Sequence, residues 1–105
     1  MTVFVLHRTN HDLSPAKSFG ELRFVLHGHI FADEIDDGQI PPEYKNRMWA
    51  AAQEFNVQTD FFLLVGDQLQ IALFTAMVVS LNETEFRVLR YDQEAKGYFA
   101  VRISV

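Results

Sequence analysis

The chain has 105 residues, of which 49% are hydrophobic, and a formal net charge of −5 at pH 7. This length suits one domain, residues 1–105, that removes roughly two thirds of its unfolded surface from water. The acidic balance disfavours nucleic acid as a partner, because phosphate groups are repelled by an acidic surface. The sequence contains no cysteine, which excludes disulfides and thiolate metal sites and predicts a cytoplasmic location.

The N-terminal third predicts a strand, a short helix and a second strand. β-branched and aromatic residues are concentrated in residues 2–7, which we interpret as the first strand. Ser14 and Pro15 are typical of an N-cap and a first helical position. The apolar run 22–26 predicts the second strand. A single helix over 15–27 is the alternative, because its apolar residues also share one helical face.

An acidic segment and an amphipathic helix follow. Residues 30–39 hold four acids and one glycine. They predict a surface loop rather than a calcium site, because they lack the ordered spacing of an EF-hand. Pro41 and Pro42 then predict the start of a helix. Its apolar positions recur every three or four residues and should pack on a sheet; they are Tyr44, Met48, Ala51 or Ala52, and Phe55.

The third strand and the third helix carry the clearest fold signal. Residues Phe61 to Val65 are all apolar, as a strand covered on both faces requires. Gly66 allows a tight turn, and Asp67 is predicted to be an N-cap, with Gln70 placed for a reciprocal capping box. The helix from about Gln68 to Leu81 is apolar almost all round, so we expect it to be covered on more than one side.

A membrane span is not predicted. The apolar block from Phe61 to Val79 approaches the necessary length, but polar residues between Gly66 and Gln70 interrupt it where hydrocarbon would penalise them.

The C-terminal residues predict a turn at 82–85, a strand at 86–91, a polar link at 92–97 and a last strand from Tyr98 to Val105. The last strand alternates, which predicts an antiparallel edge strand with one buried face. The residues of that face are Phe99, Val101, Ile103 and Val105.

The element order is therefore βαβαβαββ. It predicts an α/β fold with a largely parallel sheet, helices on both faces and a C-terminal antiparallel hairpin.

Three loops that follow the first three strands hold the candidate ligand-binding residues. In open parallel sheets, ligands bind outside the carboxyl ends of the strands. The candidates are Arg8, His11, Asp12, Gly28, His29, Gly66, Asp67 and Gln68. The start of the helix after Asp67 could attract an anion, although the Asp67 carboxylate would compete with it. The sequence has neither a Walker pattern nor a glycine-rich dinucleotide motif.

Catalysis and metal binding are weaker interpretations. A histidine with a carboxylate, such as His11 with Asp12, could support acid–base hydrolysis, but no Gly-x-Ser-x-Gly elbow supplies a nucleophile. The four histidines His7, His11, His27 and His29 lie early in the chain without a recognised ligand spacing. We therefore predict no metal and no cofactor, and we favour a non-enzymatic function over an enzymatic one.

Four segments together carry a resemblance, namely His11 to Ala16, Phe19-Gly20, Asp60 to Asp67 and Val88 to Asp92. With them the chain resembles small uncharacterised proteins of bacterial viruses and prophages. The resemblance implies a viral or bacterial accessory protein and carries no catalytic residue.

Two functions remain as hypotheses. The first is a non-catalytic interaction protein that self-associates, or binds a protein partner, through the helix Gln68 to Leu81 or the C-terminal edge strand. The second is a phosphate- or nucleotide-binding protein, or a small hydrolase, that uses the three loops.

Overall fold

The computed structural model describes residues 1–81 and 85–104. Within them lie five strands, two α-helices and two 3₁₀ helices. The strands are β1 (Thr2–Val5), β2 (Glu21–Phe24), β3 (Phe61–Leu63), β4 (Glu85–Asp92) and β5 (Gly97–Ser104). The α-helices are α1 (Pro42–Glu54) and α2 (Gln68–Ser80), and the 3₁₀ helices span Ser14–Phe19 and Ala32–Glu34.

The five strands form one sheet in the order β2-β1-β3-β4-β5. β1 pairs in parallel with β2 and β3, and β3 pairs in parallel with β4. β5 pairs antiparallel with β4 over its whole length and ends the sheet. The predicted α/β fold, with a largely parallel sheet and a C-terminal hairpin, is confirmed.

Each face of the sheet carries its own hydrophobic core, because successive strand residues point to opposite sides. Phe4 and Phe62 face α1 and α2, and the Phe62 and Phe74 rings lie 4.7 Å apart. On the other face, Val5 and Leu63 pack with Ala16 of the first 3₁₀ helix. Helices therefore cover both faces, as predicted.

The first helix differs from its prediction in type and in capping. It is a 3₁₀ helix with Leu13 at the N-cap position, so Ser14 is not the cap. The backbone N–H of Ser14 donates instead to the Asp12 carboxylate over 3.0 Å. The single helix over 15–27 is wrong, because residues 21–24 pair with β1.

A buried carboxylate ties the start of β1 to the loop before β3. Asp60 is 7% exposed, and its two oxygens accept from the backbone N–H groups of Thr2 and Asn56, both over 2.9 Å. Since buried carboxylates need such donors, Asp60 acts here as a structural crosslink.

The acidic loop is anchored to α1. The Glu34 carboxylate accepts from the backbone N–H of Phe31 over 2.9 Å and from the Tyr44 hydroxyl over 2.7 Å. A β-bridge joins Asp36 to Gln39 across a turn in which Asp37 and Gly38 have positive φ. The loop is thus held by hydrogen bonds within itself and by one from α1.

α2 packs on the sheet and beside α1, and its large side chains are mostly covered. Phe74, Met77 and Val78 are buried, whereas Leu69 is 45% exposed. The predicted turn at 82–85 falls mainly on residues 82–84, which lie outside the described residues, while Glu85 already belongs to β4.

The predicted one-sided burial of the last strand is wrong for its central part. Phe99 and Val101 are 43% and 38% exposed, and Ile103 packs against the main core. The reason is position: as the outermost strand, β5 carries these residues beyond the helical layer on that face. Val105 lies outside the described residues.

None of the helices in residues 1–81 and 85–104 combines the length and the apolar character that crossing a bilayer requires.

Candidate functional site

The strand order places a topological switch point between β1 and β3. From β1 the chain moves to β2 on one side, and it then returns past β1 to β3 and β4 on the other. Ligands of open α/β sheets bind outside the carboxyl ends of the strands at such a point. The loops that follow β1 and β3 meet here, as the sequence predicted.

His7 fills this switch point. The side chain is 1% exposed, and its Nδ1 lies 2.8 Å from the Arg8 carbonyl oxygen. Its Nε2 accepts from the backbone N–H of Asp67 over 3.0 Å. A neutral ring with the proton on Nδ1 satisfies both contacts. Because both nitrogens are engaged, neither is available to a metal ion or to a substrate.

Asp67 connects the loop after β2 to α2. One carboxylate oxygen accepts from the backbone N–H of Leu69 over 2.9 Å, which confirms the predicted N-cap. The other accepts from the backbone N–H of Ile30 over 2.9 Å and lies 3.8 Å from Nδ1 of His29. The carboxylate therefore occupies the position at which an anion would meet the helix.

Gln70 supports the same junction from inside the protein. It does not form the predicted capping box, because its side chain is fully buried and donates from Nε2 to the Gly28 carbonyl oxygen over 2.8 Å. Its Oε1 is buried with no hydrogen-bond partner among the described residues. Gln70 thus fastens Gly28 to α2.

Seven of the eight predicted site residues fall into two groups, and Gln68 belongs to neither. Four of them surround His7 or hold the loop beside it, namely Gly28, His29, Gly66 and Asp67; Gln68 is exposed at the start of α2. The other three, Arg8, His11 and Asp12, line a cavity next to the first 3₁₀ helix.

This first cavity has a volume of about 680 Å³. Two cations, Arg8 and Lys17, lie on its wall with the hydroxyl-bearing residues Thr9 and Ser14. The Arg8 guanidinium stacks 4.2 Å above the Phe24 ring, which orients it. Such a wall supplies charged and neutral donors for a small anion, beside two carboxylates, those of Asp12 and Glu21.

A second cavity of about 360 Å³ lies at the ends of β3 and β4. Tyr91 and Tyr98 contribute an edge-to-face ring pair with centroids 5.3 Å apart. Pro15 and Val65 add apolar surface, and Lys96 adds a cation. His11 and Asp12 line this cavity as well as the first.

The charges of Asp12 and Tyr98 are set by their neighbours. Hydrogen bonds from Ser14, through its side chain and then its backbone, lower the pKa of Asp12, and Lys17 lowers it further. Burial raises the pKa of Tyr98, and the neighbouring Tyr91 and Asp12 raise it further. Asp12 therefore stays ionised and Tyr98 neutral across the physiological range.

The histidines do not form a shared metal centre. His7 and His29 lie with ring centroids 4.4 Å apart, whereas His11 lines the two cavities and His27 is exposed. Among residues 1–81 and 85–104, no group of three or more histidine and carboxylate side chains is arranged to hold a metal ion.

A comparison with protein families finds one match over the entire chain. Residues 1–105 match the family described as Phage Pam3 gp32-like protein. The chain belongs to this family. This membership confirms the resemblance to phage proteins that the four sequence segments indicated. No curated protein and no solved structure matches the chain.

In this member of the Phage Pam3 gp32-like family, sequence reasoning missed most of the cavity lining. The sequence predicts no site role for four lining residues, Lys17, Tyr91, Lys96 and Tyr98, although it predicts Tyr98 in the edge strand, directly after a polar link. Their spacing carries no motif. These residues lie beside His11 only because the first 3₁₀ helix packs over β4 and β5.

Proposed function

We propose that the protein is a non-catalytic accessory protein that self-associates by pairing the β5 edges of two copies. The observation that carries this proposal is the exposed apolar pair Phe99 and Val101 at the centre of an eight-residue edge strand. Edge strands are usually protected by charges, proline or bulges, since their free backbone groups bind other strands. β5 has no proline and one charged residue, Arg102.

A second copy is the occupant that this edge fits best. In a twofold antiparallel pair centred on Ala100, Phe99 of each copy lies opposite Val101 of the other. The same pairing places Arg102 opposite Tyr98 rather than opposite another Arg102, so no like charges meet directly. It continues the sheet through both copies and covers the apolar pair.

The helix α2 is the less favourable surface. Its large side chains pack against the sheet and α1, and its exposed positions include the small residues Ala72 and Ala76. Leu69 differs from the other large side chains of α2 in being exposed.

Sedimentation equilibrium with three variants tests the pairing. We expect a mass that rises with concentration towards a dimer. Val101→Lys should weaken association at least about tenfold, because it buries a charge at the pairing edge. Leu69→Lys reports on α2, and Ala50→Lys, on the exposed side of α1, is the matched control. A wild-type mass that stays monomeric at roughly millimolar concentration would refute self-association, and equal effects of all three variants would refute the β5 interface.

The first cavity favours a second candidate function, the binding of a phosphate group by Arg8 and Lys17. Within residues 1–81 and 85–104, neither side chain has a carboxylate oxygen within 4.0 Å of its charged nitrogens. Neither cation is thus held in a salt bridge within this part of the chain, although Asp12 is close enough for Lys17 to lower its pKa, and Thr9 and Ser14 lie beside them. This site differs from the predicted one, since it uses neither His29 nor the Gly66-Asp67 turn.

Titration with inorganic phosphate, followed by NMR shifts of backbone amides, tests the anion site. We expect saturable shifts confined to the segment from Arg8 to Lys17. Lys17→Ala should abolish them, whereas Lys45→Ala, which removes an exposed lysine from α1, should leave them unchanged. Shifts that persist in Lys17→Ala would exclude this cavity.

A cytoplasmic location, which the lack of cysteine suggests, remains a prediction.

A further inference from the structure

The two cavities share two wall residues, so we refer to them together as the joined cavities, and the rest of their walls differs in chemistry. His11 and Asp12 line both of them. Arg8 and Lys17 lie in the first cavity, and the Tyr91 and Tyr98 rings lie in the second. One ligand that passes His11 and Asp12 would therefore reach cations at one end and aromatic rings at the other.

The aromatic end suits a planar ring. Tyr91 is 42% exposed, so part of its ring surface is available to a ligand. Tyr98 meets Tyr91 at 69°, and this edge-to-face contact holds both rings in place. Pro15 and Val65 lie around them and provide an apolar border. Heteroaromatic rings stack on such platforms with little dependence on their identity.

The charge of the joined cavities differs from that of the whole chain. Their walls hold three of the nine Lys and Arg residues, Arg8, Lys17 and Lys96, but two of the fourteen Asp and Glu residues, Asp12 and Glu21. Within the first cavity the two cations and the two acids balance, and Lys96 of the second cavity gives the two cavities together an excess of one positive charge. A groove with so small an excess, in a chain of net charge −5, favours a ligand with one phosphate over a polyphosphate.

We propose that the joined cavities bind a nucleoside monophosphate, with its base against Tyr91 and Tyr98 and its phosphate against Arg8 and Lys17. His11 and Asp12, at the boundary, provide a donor and an acceptor for the hydroxyl groups of the ribose. Each cavity, at about 680 Å³ and about 360 Å³, has a volume within the usual range for small-molecule sites, which is roughly 300 to 1,000 Å³. This inference rests on the phosphate site proposed as the second candidate function.

Calorimetric titration with three probes separates the parts of the site. Adenosine reports on the aromatic cavity, inorganic phosphate on the cationic cavity, and AMP on both. We expect AMP to bind at least about tenfold more tightly than either fragment, because one ligand makes both sets of contacts.

Two variants assign the ends of the ligand. Lys17→Ala should weaken AMP about tenfold and leave adenosine unchanged. Tyr91→Ala should weaken both AMP and adenosine about tenfold and leave phosphate unchanged. Phe31→Ala is the control for Tyr91→Ala, since it removes an exposed aromatic ring that lies outside both cavities and outside β5.

The outcomes distinguish this inference from the phosphate site on which it rests. If phosphate binds through Lys17 but AMP binds no more tightly, the nucleotide inference is wrong and the anion site stands. If neither phosphate nor AMP binds, both are wrong. Equal weakening of AMP by Tyr91→Ala and Phe31→Ala would show that the base does not occupy the tyrosine cavity.

Discussion

Gly66 and His7 show how one residue determines what can occupy the rim of the sheet. Gly66 has φ = 108°, and a Cβ atom placed on it would lie 2.7 Å from Nε2 of His7. Glycine is thus required for two reasons: the backbone angle disfavours other residues, and the imidazole occupies the space of a side chain. The close approach lets the next backbone N–H, that of Asp67, reach His7.

We expect Gly66→Ala to lower the free energy of unfolding by at least about 2 kcal/mol, because strain and overpacking both act at this position. Urea denaturation measures the change. Gly28→Ala is the control, since nothing lies within 4 Å of its added Cβ. Equal destabilisation by the two variants would contradict the proposed role of His7 in excluding a side chain at Gly66.

At the scale of an element, the position of α2 depends on one carboxylate with two tasks. Asp67 caps the helix through Leu69 and holds the loop after β2 through Ile30. The sequence predicts the first task, because the residue directly precedes an apolar helix. The second task links residues that are 37 positions apart, so local pattern does not reveal it.

Substitutions at Asp67 should separate the two tasks. Asp67→Ala removes both and should cost about 2 kcal/mol. Asp67→Asn keeps one acceptor oxygen for the cap and loses an acceptor for the loop, so its cost should be smaller. Hydrogen exchange at the Ile30 amide should accelerate in both variants, whereas exchange at Leu69 should accelerate strongly in Asp67→Ala alone. Slow exchange at Ile30 in Asp67→Asn would show that the loop does not depend on this bond.

The β-hairpin shows, also at the scale of an element, a second limit of what the sequence can predict. Alternation along β5 correctly predicts a strand and its two faces, but it does not show how far the helical layer extends. Phe99 and Val101 are therefore exposed although their pattern is that of a buried face. This exposure, together with the terminal position of β5, supports the proposed pairing of two copies.

At the scale of the whole molecule, stability should depend on pH through groups in separate parts of the chain. The Phe31 backbone N–H and then the Tyr44 hydroxyl lower the pKa of Glu34, while hydrogen bonds from Ser14 lower that of Asp12. A lowered folded-state pKa stabilises the native state above the ordinary values of 4.5 and 3.8, and this stabilisation is lost as the pH falls through the folded values.

At alkaline pH the native state loses stability as the pH rises, the opposite direction from the acid range. The Glu34 hydrogen bond raises the pKa of Tyr44, and burial raises that of Tyr98, so their stabilisation is present below the ordinary value of 10.0 and is lost above it. We expect urea denaturation to give a stability plateau near neutral pH that declines at both ends. Glu34→Gln should flatten part of the acid decline and Tyr44→Phe part of the alkaline decline; unchanged profiles in both variants would contradict this assignment.

The sequence by itself determined the order of the elements and the largely parallel sheet. The continuous apolar run at Phe61 to Leu63 and the Gly66-Asp67 turn are local features, and the periods of strands and helices are read from neighbouring residues. The order of the strands also predicts that Arg8, His11 and Asp12 lie at the carboxyl rim of the sheet, because they directly follow the first strand.

Only the tertiary structure decided what fills that rim and where the cavities lie. His7 meets Asp67 across 60 positions of sequence and closes the switch point, so the predicted group of eight residues separates around it. Tyr91, Tyr98 and Lys96 reach His11 and Asp12 because the first 3₁₀ helix packs on the face of β4 and β5. Such contacts depend on the packing of distant segments, which no local periodicity encodes.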